Sequence, residues 1–66
     1  MKIIIEGMSN MKENDRVRVV RDTRGTCNIF VGHEGIVLYT EGRSIRIYDL
    51  KEKASMWFYE DELEII

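Results

Sequence analysis

The chain is poor in the residues that brace small proteins or give them chemistry. Its 66 residues include one cysteine, Cys27, and one histidine, His33. A lone cysteine excludes an intrachain disulfide. Structural zinc sites take four Cys or His ligands, and these two residues cannot supply them. No metal or other cofactor is expected. Long apolar runs are missing as well. None approaches the roughly 20 residues of a membrane helix, and Ile3, Ile4 and Ile5 are too few for the apolar region of a signal peptide. An unpaired thiol without an export signal points to a reducing compartment, so the expected location is the cytoplasm, with no membrane partner. There are no internal repeats and no low-complexity tracts. Groups for catalysis are sparse. His33 and Glu34 are adjacent, neighbours on an extended chain point to opposite sides, and no nucleophile or second acid is placed beside them. A protein without enzymatic activity is expected.

What is present suits a small folded domain. Apolar residues make up 44% of the chain and charged residues 33%, a balance that supports a core rather than disorder. A domain of this length buries only about 60% of the surface its unfolded chain exposes. Its stability should be on the order of a few kcal/mol. The net charge is −2, but it is unevenly spread. Lys12, Arg16, Arg18, Arg21, Arg24, Arg43 and Arg46 face five acidic residues between positions 12 and 46. From position 47 onward, Lys51 and Lys53 face Asp49, Glu52, Glu60, Asp61, Glu62 and Glu64. The front is mildly basic and the tail acidic. This permits a local phosphate-binding face without favouring one.

Residues 1–14 read as a leader. Met1 to Glu6, a short apolar run, is expected to be an extra edge strand, a tail or upstream sequence, and the stretch through Asn14 reads as linker. Met11 is a second candidate start, and residues 1–11 are expected to be poorly ordered. The domain then spans residues 15–66. Arg16 to Arg21 begins with period-two alternation, Val17 and Val19 on one face and Arg16 and Arg18 on the other. Asp22 to Gly35 is a long connection punctuated by Gly25, Gly32 and Gly35. Within it, Ile29, Phe30 and Val31 form an apolar patch expected to tuck back onto the domain. Ile36 to Tyr39 is apolar on both faces, as suits a central strand. Glu41-Gly42 signals a tight hairpin. Ser44 to Tyr48 alternates with Ile45 and Ile47 inward. Ser55 to Tyr59 is an aromatic strand, Glu60 to Glu62 a single helical turn, and Leu63 to Ile65 a short last strand. The expected core is Val17, Val19, Val37, Ile45, Ile47, Phe58 and Leu63. No segment keeps a helical period over 11 residues.

This order resembles an SH3-like barrel: an all-β, five-stranded fold with a long first loop and one helical turn before the last strand. Gly32-His33-Glu34-Gly35-Ile36-Val37 resembles the Gly-x-x-Gly-x-Val core of the KOW motif, found in ribosomal proteins and transcription elongation factors. Trp57-Phe58-Tyr59-Glu60-Asp61-Glu62-Leu63-Glu64 resembles the ending of many small SH3-like proteins from phages and prophages. The resemblance implies the fold over residues 15–66. It departs at the site. His33 and Glu34 stand where RNA-binding KOW domains usually carry Lys or Arg, and the paired-tyrosine signature of polyproline-binding SH3 grooves is not recognisable.

Two candidate surfaces follow. Trp57 and Tyr59 share a face of the fourth strand and, with Tyr48, could anchor a protein partner; the alternative is that they cap the fold. Arg16, Arg18, Arg21 and Arg24, with Arg43 and Arg46 nearby, could contact the phosphates of RNA or DNA; the alternative is a solvated face paired with acids. Glu60, Asp61, Glu62 and Glu64 match no cation-binding loop and read as a solvated acidic turn. The leading expectation is a monomeric phage or prophage-type module that docks on a bacterial or phage protein. KOW-like nucleic-acid binding is the alternative.

Overall fold

A computed structural model describes residues 11–23, 25 and 28–66. The expectations for residues 1–10, Arg24 and Cys27 lie outside the described residues. The structure is all-β. Five strands, β1 (Arg16–Val19), β2 (Glu34–Glu41), β3 (Ser44–Asp49), β4 (Ala54–Tyr59) and β5 (Leu63–Ile65), pair antiparallel in one sheet of order β4-β3-β2-β1-β5. Two 3₁₀ turns, Asn28–Phe30 and Glu60–Glu62, complete it. The strand pairing leaves the sheet open. β4 and β5 are its two edges, joined through the Glu60–Glu62 turn rather than by a ladder. Among the described residues no helix is long and apolar enough to cross a membrane.

Alternation builds the inner face. Val17 and Val19 of β1, Val37 of β2, Ile45 and Ile47 of β3, Phe58 of β4 and Leu63 of β5 are buried together, as their period-two spacing predicts. Phe30 and Met56 pack against this cluster. Gly35 stands opposite Asp49 across β2 and β3, where there is no room for a side chain. A Cβ there would sit 2.7 Å from the Tyr48 carbonyl oxygen and 2.9 Å from Ile47 Cδ1. The β2–β3 hairpin turns through Gly42 and Arg43, and Gly42 takes φ +60°, which a glycine adopts without strain.

Four details differ from the sequence expectation. The first strand ends at Val19, not Arg21. There the Val20 N–H turns to the Glu62 carbonyl. Met11, read as linker, is buried in the core. It is held by the turn behind it: the Lys12 N–H donates to Asp15 Oδ2, the Asp15 N–H to the Lys12 carbonyl, and the Asn14 N–H to the Val37 carbonyl. The apolar patch of the long connection divides. Phe30 turns inward, while Ile29 is 77% exposed and Val31 is also exposed. The acidic turn is not wholly solvated. Glu62 is fully buried, its two carboxylate oxygens accepting the N–H groups of Tyr59 (2.7 Å) and Thr23 (3.0 Å). A carboxylate can be buried when backbone donors replace its water. Here it ties the start of the long connection to the corner between β4 and β5.

Candidate interaction surface

The other face of the sheet is fixed by the same registers. Arg16, Ile36, Tyr48 and Ser55 form one cross-strand row over β1 to β4. The next row is Tyr39, Arg46 and Trp57, and the next Glu41, Ser44 and Tyr59. A register shift between Val37 and Tyr39 makes Leu38 an extra residue. This bulge matters, since strict alternation from Val37 would turn Tyr39 inward. Instead Tyr39 stands opposite Arg46, and its ring meets that of Trp57 edge-on, centroids 5.5 Å apart at 85°. The Arg46 guanidinium lies 5.3 Å from the Trp57 ring centroid, within cation–π range. Its Nη2 donates to Ser55 Oγ at 2.6 Å. Trp57 is half-buried by these neighbours. Tyr39 (46%), Tyr48 (38%) and Tyr59 (45%) remain exposed around it. Of the aromatic candidates, Trp57, Tyr59 and Tyr48 thus share one face. Tyr39 joins them, and a bulge that period-two spacing does not show is the reason it was missed.

Two of the arginines are paired with acids. Arg16 holds Glu34 at 2.9 Å, and Arg18 lies between Glu34 (3.5 Å) and Glu64 (3.6 Å). The hydrogen bond from Arg16 lowers the Glu34 carboxyl below its ordinary value against the opposing effect of desolvation, with Arg18 assisting. Arg46 is laid over Trp57. Arg43 sits in the hairpin turn, and Arg21 is exposed beyond the end of β1. Arg24 lies outside the described residues. Among the described residues these cations are spread over β1, the segment after it, the β2–β3 turn and β3.

A polar pair lies under the opposite end of the inner face. His33 and Asp49 are both buried, with His33 Nδ1 2.9 Å from Asp49 Oδ2. His33 continues the inward row of Gly35 and Val37, and Asp49 that of Ile45 and Ile47. Asp49 Oδ1 also accepts the N–H groups of Lys51 (2.8 Å) and Glu52 (3.0 Å), closing the turn into β4. Burial alone would raise the Asp49 carboxyl. The Glu52 donor, His33 and the Lys51 donor outweigh it and hold the group below its ordinary 3.8. The Phe30 ring meets His33 edge-on at 5.5 Å. Beside the pair an open groove of about 530 Å³ is lined by Arg16, Ile29, Val31, Gly32, His33, Glu34, Leu50 and Lys51. Among the described residues no three His, Cys, Asp or Glu side chains are grouped to hold a metal ion.

The chain matches no protein-family model, no curated protein and no solved structure.

Proposed function

We propose that the protein is a non-enzymatic module that docks on another protein through the outer face of β2, β3 and β4. One observation carries this reading: Tyr39, Tyr48 and Tyr59 stand exposed around a half-buried Trp57 on a single sheet face. Aromatic side chains offer large contact area with few rotatable bonds and a polar tip, and they are enriched where protein interfaces concentrate their energy. Arg46, fixed over Trp57, adds a second residue type of that kind. A domain this small has few aromatics to spare from its core. A phage or prophage setting, with a bacterial or phage protein as partner, fits the resemblance of the chain's ending and belongs to this same proposal.

The nucleic-acid reading is the weaker one. Phosphate binding draws its affinity from uncompensated Lys and Arg, and Arg16 and Arg18 already face Glu34 and Glu64. A photo-crosslinking residue placed at Tyr59, at Tyr48 or at Glu13, in the cells that make the protein, tests the proposal. Discrete protein adducts from positions 59 and 48, absent from position 13, are expected. Adducts only to nucleic acid, or equal labelling from all three positions, would overturn it.

A further inference from the structure

The strand arginines do not share one arrangement, and the difference marks Arg46. Arg16 and Arg18 each end on a carboxylate. Arg46 makes no ion pair among the described residues. By register its nearest acid is Glu41, diagonal to it and one row further along β2, and the two do not pair. Two contacts hold the Arg46 side chain instead. Its guanidinium lies 5.3 Å from the ring centroid of Trp57, its direct cross-strand neighbour, and its Nη2 donates to Ser55 Oγ on the same strand as Trp57. A guanidinium carries several N–H donors in a planar fork, and Ser55 accepts from one nitrogen only. The other donors meet no acceptor among the described residues. The result is a partly buried cation, fixed in place, with its charge unspent.

We propose that Arg46 receives the carboxylate of an Asp or Glu side chain on the protein partner, with apolar side chains beside that acid resting on the Tyr48 and Tyr59 rings in the rows on either side. The proposal rests on the docking-module reading and names the chemistry of its partner. An arginine fork and a carboxylate match through two parallel N–H···O bonds. Arg46 is already held by Trp57 and Ser55, so it loses little freedom when the acid arrives. Partial burial among aromatic rings strengthens the pair relative to one in open water. A single cation among exposed tyrosines suits a single acid with apolar neighbours. A nucleic-acid strand instead brings a row of phosphates and draws on several unpaired cations. Arg16 and Arg18 are taken, Arg43 lies beyond the last row in the hairpin turn, and Glu41 would repel a phosphate next to one held by Arg46.

The test carries the photo-crosslinking residue at position 59 into Arg46→Met and Arg43→Met backgrounds, in the cells that make the protein, and sequences the adducts by mass spectrometry. Methionine keeps an apolar stem beside Trp57 and removes the charge. Arg46→Met should cut the adduct yield about tenfold or more, as loss of a charge-assisted pair implies. Arg43→Met should leave the yield unchanged, and the crosslinked partner peptide should carry an Asp or Glu. Replacing that acid by Arg, together with Arg46→Glu, should restore the adduct, which a merely structural role for Arg46 would not allow. Full adduct yield from Arg46→Met, a partner peptide without an acid, a charge swap that restores nothing, or adducts to nucleic acid would each overturn the proposal. Tyr59-position adducts that persist in Arg46→Met leave the docking module standing without this anchor. Absence of adducts in every background removes the docking reading and the anchor with it.

Discussion

Two residues of like chemistry hold the inside of this domain together, each against what its charge suggests. Glu62 and Asp49 are fully buried carboxylates: Glu62 accepts the N–H groups of Tyr59 and the distant Thr23, and Asp49 those of Lys51 and Glu52 in its own turn. Removing one acceptor oxygen while keeping the shape leaves a buried donor unsatisfied, at a cost of about 1–3 kcal/mol. Glu62→Gln is therefore expected to lower the urea midpoint by an amount in that range, a large fraction of the stability of so small a domain. An unchanged midpoint would show that the Thr23 and Tyr59 contacts carry no weight. Asp49 makes a pH prediction. Its folded carboxyl lies below the ordinary 3.8, so the folded state binds that proton less readily than the unfolded state. The stability it contributes is fully present above pH 4 and is lost as the pH falls through the depressed folded value. Asp49→Asn should flatten the acid limb of a stability–pH curve below pH 4 relative to the wild type. The sequence carried half of this. Alternation after Ile45 and Ile47 puts Asp49 on the inward row, yet its charge argues for the surface. Only the donors of Lys51, Glu52 and His33, brought together by folding, decide the matter.

The elements divide into those that spacing defines and those that contacts define. Strands β3, β4 and β5 and the Glu60–Glu62 turn fall where alternation, aromatic content and the turn signal put them, because each of those signals is local. The long connection is not local. Its conformation depends on Phe30 reaching the core, on the Gly32 N–H bonding the Val19 carbonyl, and on the His33 N–H bonding the Phe30 carbonyl. Phe30→Ser should therefore release this segment more than the sheet. Amide hydrogen exchange should quicken at Gly32 and His33 by at least tenfold relative to Ile45 and Ile47, and uniform quickening would contradict the assignment. Gly35 tests the tight approach of β2 to β3. An alanine Cβ would lie 2.7 Å from a backbone oxygen that has no rotamer to give. Gly35→Ala should destabilise by about 1–3 kcal/mol in a denaturant melt, as overpacking does. The bulge at Leu38 is the feature of β2 that no local signal announces. It sets Tyr39 among the outward aromatics, and so the composition of the candidate surface could be read only in part from spacing.

At the scale of the molecule, one sheet presents two unlike faces. The inner face gathers the apolar residues that alternation selects. The outer face holds aromatics over β2, β3 and the edge strand β4, and compensated charge toward the other edge, where Arg16 and Arg18 meet Glu34 and Glu64. The basic front and acidic tail of the sequence are thus folded against one another. Arg16 and Arg18, which the sequence offers as part of an arginine cluster, are each held by a carboxylate. Charge pairing of this kind is invisible until register is known, since Arg18 and Glu64 meet only across the β1–β5 ladder. The protein is expected to show no salt-sensitive chemical-shift changes with single-stranded or duplex nucleic acid at near-physiological salt. The most direct test of the central claim is the affinity of the crosslinked partner, once purified, for the double variant Tyr39→Ala, Tyr59→Ala, measured by calorimetry beside the wild type. Both side chains are exposed, so the fold and its urea midpoint should hold. The account predicts at least a tenfold loss of affinity, about 1.4 kcal/mol or more. Affinity unchanged in a variant that remains folded would contradict docking through the aromatic face.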